Sequence, residues 1–128
     1  MESPDPSFGR RLLVESLTVL SADAQTQVAW LDKHGVMTDE IALDFDHAFR
    51  VAGALLSQGQ LTGDVMAVLQ EIDVVLSGMS DDGDADRWTR GALSSDEGWA
   101  RARQLARRIL VAEQGEWRQP LPAITVVR

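Results

Sequence analysis

The chain has 128 residues, no cysteine, 20 carboxylate side chains against 12 cations, and a formal charge of −8. That length suits one domain able to bury its own core, and the lack of cysteine excludes disulfides, thiolate metal ligands and a thiol nucleophile. The acidic balance disfavours general binding to nucleic acid or anionic membrane, which needs clustered cations, and no apolar run approaches the roughly 20 residues that span a bilayer. The charge is uneven: residues 1–86 hold 16 carboxylates and 4 cations, whereas residues 87–128 hold 4 and 8.

Residues 1–9 are acidic and rich in Pro and Ser, which reads as a flexible lead-in rather than a signal peptide. With the missing cysteine this points to a cytoplasmic protein. Residues 10–115 then read as a single helical domain and residues 116–128 as an extended tail. Arg10–Leu20, RRLLVESLTVL, contains β-branched residues and could be strand, but no partner strand lies nearby, so a helix is expected. A second helix near Ala22–His34 turns Ala24, Val28 and Leu31 inward and stops at Gly35, with Val36 as the apolar contact behind a left-handed cap. In Thr38–Gln58 the residues Ile41, Phe45, Ala48, Phe49, Ala52, Leu55 and Leu56 share one arc, with Thr38 as N-cap, Asp39 and Glu40 in the first turn and Gly59 as the stop. Thr62–Met79 repeats the pattern through Val65, Val68, Leu69, Ile72, Val75, Leu76 and Met79.

Ala85–Leu93 reads as a short helix, and Ser95 as the N-cap of a long one over Asp96–Gln114. Trp99, Ala102, Leu105, Ala106, Ile109 and Leu110 form the inner face of that helix, where the small Ala102 and Ala106 admit a close neighbour. Pro120 and Pro122 keep the tail extended. Its end, Ile124–Val127, suits a pleated surface and would lie over the body or pair with a second molecule, which makes residues 116–128 a candidate homodimer contact. The expected fold is all-α: an irregular bundle of five or six helices with an extended C-terminal tail.

Chemistry is sparse. Ser80–Trp88, SDDGDADRW, places Asp81, Asp82, Asp84 and Asp86 around Gly83. As a helix–loop–helix calcium loop starting at Asp82 it fails, because Arg87 stands where glycine is required and Leu93 where a bidentate glutamate is required. It reads instead as a solvated joint, with a turn over Ser80–Gly83, Asp84 capping the next short helix and Trp88 anchoring the chain beyond the joint into the core. Glu40, Asp44 and His47 share a stripe and are the weak candidates for a metal site. Helical metal centres draw such ligands from several helices, so local hydrogen bonding is the plainer expectation. No nucleophile motif or glycine-rich phosphate cradle is present, so neither an enzyme nor a cofactor is expected.

Arg101 and Arg108 share the outer face of the last helix, with Glu97 one turn before Arg101. Arg103 and Arg107 lie on the other flank, either solvated and laced with local ion pairs or reaching the acidic helices to fix the last helix against them. A DNA-reading helix is disfavoured by the acidic remainder. Of four tryptophans, Trp88 and Trp99 are expected in the core. Trp30, off the main stripe of its helix, and Trp117, in the tail, are the candidate partner contacts, together with Arg101 and Arg108.

The segments LQEIDVVLSGMS, DADRWTRGALSSDEGWARARQLARRIL and DEIALDFDHAF resemble a group of small acidic helical proteins of GC-rich bacteria. The likeness spans about Ala22–Trp117 and implies a shared helical fold; it carries over no functional residue. Toxin-neutralising immunity proteins are similar in charge and length only. The function expected is therefore a non-enzymatic module that binds another protein through an acidic surface, with a metal-binding protein using Glu40, Asp44 and His47 as the alternative.

Overall fold

Apolar residues spaced by three and four produce six α-helices and one 3₁₀ turn in a computed structural model, which describes residues 6–83 and 85–122. They are α1 (Pro6–Ser21), α2 (Ala24–His34), α3 (Asp39–Ser57), α4 (Gly63–Asp81), α5 (Ala92–Ser95) and α6 (Glu97–Gln114), with the 3₁₀ turn at Ala85–Trp88. No strand occurs among the described residues, so the RRLLVESLTVL segment is helix. That helix starts at Pro6, inside the segment expected to be a flexible lead-in. Gly9 sits close to Leu55, where a Cβ would stand 3.5 Å from Leu55 Cδ2. Proline suits a first helical turn because the N–H it lacks has no partner there in any case. The expected cap at Asp84 and the pairing of Ile124–Val127 lie outside the described residues.

The core is one cluster. Helices α1 and α4 each pack on both α3 and α6, and α2 packs on α5. Leu13, Leu17 and Leu20 of α1 meet Ile41, Phe45, Ala48, Ala52 and Leu55 of α3. Val65, Leu69, Ile72, Leu76 and Met79 of α4 bury the stripe read from their spacing. On α6, Trp99, Ala102, Leu105, Ala106, Ile109 and Leu110 are all buried, and the two alanines are fully inaccessible, as a close helix contact requires. The hydroxyls of Ser16, Thr18 and Ser21, buried on α1, donate to carbonyls of their own helix, which satisfies them without a neighbour.

Helix ends follow local chemistry, with two corrections. Gly35 takes a left-handed φ of 63°, its N–H bonds Asp32 O, and the Val36 N–H bonds Leu31 O, as expected for a glycine cap. Thr62 caps α4 through its hydroxyl, which accepts from Val65 N at 3.2 Å. Thr38 is not a side-chain cap: its backbone is helical and its buried hydroxyl accepts from Arg90 Nη1 at 3.3 Å. Asp96, rather than Ser95, caps α6, accepting from Gly98 N at 2.7 Å. Ser95 instead ends α5, and its hydroxyl donates to Gly91 O at 3.1 Å, so it serves its own short helix rather than the next.

Candidate functional site

Three places could carry function: the acidic joint, the stripe of Glu40, Asp44 and His47, and the open face between α3 and α4.

The joint closes on itself. Gly83 turns the chain with φ of 72°, and Arg87 reaches back to Asp82 at 3.2 Å and forward to both oxygens of Asp96, at 2.9 and 3.2 Å. Those Arg87 hydrogen bonds hold the Asp96 carboxyl below the usual carboxylate range, against the opposing effect of its burial. The cation inside the loop is thus a structural clasp. Trp99 Nε1 donates to Arg87 O at 2.8 Å, and the Trp88 ring meets Trp99 edge-on at 5.5 Å; Trp99 is buried in the core as expected, whereas Trp88 is half-buried against it. Gly98 lets the same packing close up: a Cβ there would stand 2.5 Å from Met79 Sδ, and the Met79 side chain would have to move.

On the α3 stripe, the half-buried Asp44 meets Glu40, while His47 is exposed. Burial, and then the Glu40 carboxylate beside it, push Asp44 up to about 6. Among the described residues no three His, Asp or Glu side chains gather where one metal ion could hold them. The two carboxylates meet; the imidazole does not complete a ligand set with them.

The expected partner contacts are placed differently from their reading. Trp30 is buried, 4% exposed, because the tail crosses it: Trp30 Nε1 donates to Pro122 O at 2.9 Å, and the ring meets His34 edge-on. Trp117 is half-buried beneath Arg107, whose guanidinium carbon lies 3.8 Å from the ring centroid. Both aromatics are therefore covered by this chain itself. Arg101 and Arg108 are exposed as expected, but Arg101 pairs with Glu71 of α4, at 3.1 Å, rather than with Glu97. Arg103 and Arg107 take the internal role. Arg103 donates to Ala22 O, Leu93 O and Gln27 Oε1, and Arg107 to Ser21 O and Asp23, together tying α6 to the α1–α2 corner and, through Leu93, to α5. Burial, and then the neighbouring Arg107 charge, pull Arg103 below the ordinary arginine value.

The open face was not anticipated. A groove of about 470 Å³ runs between the first half of α3 and the last half of α4, and reaches Trp88. Ala42, Phe45, Leu76 and Trp88 supply apolar surface, with Met37 and Leu43 alongside, 74% and 56% exposed. Asp39, Asp46 and Asp73 supply charge, and no lysine or arginine is among the described residues that line it. Asp46 pairs with the exposed Arg50 one turn along; Asp39 and Asp73 make no ion pair among the described residues. Val74, next to Asp73, is 70% exposed. The signal was present in the sequence: Met37 and Leu43 are large apolar residues off the core stripes. Residues 39–81 also hold eight carboxylates and one cation other than histidine, Arg50. An apolar strip rimmed by unopposed carboxylates can bury a greasy surface that carries cations.

Among the described residues no helix is long and apolar enough to cross a membrane. Compared with protein-family models, with curated proteins and with solved structures, the chain matches none.

Proposed function

We propose that this chain is a non-enzymatic protein-interaction module that binds a basic partner protein, and that the groove between α3 and α4 is its docking surface. The carrying observation is that Met37 and Leu43 stand exposed beside Asp39 and Asp73, which have no cation of their own among the described residues. Exposed apolar residues cost solubility in a free monomer, and their grouping at a carboxylate rim supports a role in recognition. Charge on both partners would speed encounter more than it sets affinity. An immunity-type inhibitor of a basic toxin is one concrete version of this reading.

The test is site-resolved crosslinking in an extract of the expressing cells, with a photoreactive residue at Leu43 or, as a control on the far face of α6, at Arg108. The expected result is an adduct at Leu43 whose partner is a basic protein by mass spectrometry, weakened by added salt and absent at Arg108. Equal yields at both sites, or no adduct at Leu43, would refute the assignment.

A further inference from the structure

We infer that the occupant of the groove is a short amphipathic α-helix, apolar along one stripe and carrying lysine or arginine about two turns apart. This rests on the docking reading above and goes further, to the conformation and register of the bound segment.

The walls decide the conformation. Both are helices whose backbone N–H and C=O groups are spent internally along their length, and no sheet edge exists among the described residues. An extended segment laid in the groove would bring unpaired backbone groups against apolar side chains, with only Ser77 and Ser80 offering uncharged side-chain partners. A helix satisfies its own backbone and presents only side chains, which is how helix-in-groove recognition works.

The rim decides the register. The start of α3 lies against the end of α4, so Asp39 and Ser80 mark one end of the groove and Asp46 and Asp73 the other. Residues 39 and 46, like 73 and 80, are seven apart, which in a helix is about 10 Å or two turns. A bound helix thus meets apolar surface over two turns, enough for anchors at i, i+3 or i+4, and i+7. Its cations would fall near Asp39 at one end and near Asp46 and Asp73 at the other. The Arg50–Asp46 pair is exposed on both sides and would yield to a better-placed cation at little cost.

The probes are three synthetic peptides of about 15 residues. The first is built of leucine and lysine with leucines at helical spacing. The second has the same composition in strict alternation. The third keeps the helical pattern with glutamate in place of lysine. Binding is read by the methyl NMR shifts of Met37 and Leu43, which line the groove, and by calorimetry. The helical lysine peptide should bind at least tenfold more tightly than either control and move both methyls. Leu43→Asp, which adds a negative charge, should weaken it at least tenfold with an unchanged melting temperature; purely electrostatic attraction would instead tighten. Equal or tighter binding of the alternating peptide would overturn the helix inference. So would shifts outside the groove or no shift by any peptide, and in each case an adduct from Leu43 would leave the docking reading standing. Equal binding of the glutamate peptide would overturn the charge register as well.

Discussion

The corner where α6 meets α1 and α2 and the groove between α3 and α4 are opposite solutions to the same problem, that of placing polar groups beside a core. At the corner the polar groups answer one another. Gln27, fully enclosed, donates its amide to Val19 O and Leu20 O, closing the last carbonyls of α1, while its oxygen accepts from Arg103. Arg107 stacks on Trp117 and ties down Ser21 O. At the groove the reverse holds: Met37 and Leu43 are uncovered and Asp39 and Asp73 lack cations among the described residues. Buried side-chain polar atoms without a partner are absent among the described residues, so the chain satisfies what it encloses. At the groove, by contrast, Met37 and Leu43 stay open to solvent beside Asp39 and Asp73, which no cation of this chain answers among the described residues.

The largest test of this contrast is removal of Arg103. Arg103→Met keeps much of the stem's packing but strips donors from Ala22 O, Leu93 O and Gln27 Oε1. Leaving such acceptors short of partners should cost on the order of 2–3 kcal/mol in urea unfolding. Arg101→Met, two positions earlier, breaks only an exposed pair with Glu71 and should change stability by less than about 0.5 kcal/mol. Equal effects would erase the distinction between clasping and solvated arginines.

The same contrast explains what was legible in the sequence. Ile41, Phe45, Ala48, Ala52 and Leu55 are buried as their spacing requires, while Phe49 and Leu56 at the edge of the same arc are half-buried and exposed, respectively, because periodicity sets the centre of a buried stripe and the neighbours set its width. Gln27 and Trp30 escaped that logic. The spacing of α2 favoured Ala24 and Val28, which are only half-buried, whereas Gln27 is enclosed for its hydrogen bonds and Trp30 because the distant Pro122 accepts from it. Burial set by contacts some 92 positions away has no local signature. For the site, Trp30 and Trp117 are the conspicuous sequence signal because aromatics often mark interfaces. The groove was announced more quietly by Met37 and Leu43, whose meaning depends on the end of α4 lying beside the start of α3, a fact of topology.

Two carboxylates sharpen the comparison with opposite signs. Asp44, raised to about 6 from 3.8, binds a proton more readily in the folded state. Stability therefore falls as pH rises between those values, and the penalty is fully present above about pH 6. Asp44→Asn should stabilise the protein near neutral pH by about 1 kcal/mol, after allowance for solvent screening at a half-buried site, and by almost nothing below about pH 4. Asp96, held low by Arg87, contributes stability that is present above the ordinary aspartate value and disappears as pH falls through its own lowered one. Urea melts of Asp44→Asn and Asp96→Asn across that range should diverge: the first stabilises at neutral pH, the second destabilises there. A flat profile for Asp44→Asn would remove the carboxylate pair as a pH-sensitive feature.

The smallest expected change is the most informative about the groove. Met37→Ser and Leu43→Ser remove side chains that the folded chain leaves more than half exposed. Each should alter stability by no more than about 0.5 kcal/mol, because little buried area is lost and a polar surface residue is gained. Residues maintained for the fold behave otherwise: truncating a buried leucine such as Leu69 costs roughly 2–5 kcal/mol. Near-zero values from thermal and urea unfolding of the two serine variants would mean that these apolar side chains serve nothing inside the molecule. Losses of about 2 kcal/mol or more would instead place Met37 and Leu43 in the core, closing the groove and leaving the acidic rim without an apolar floor.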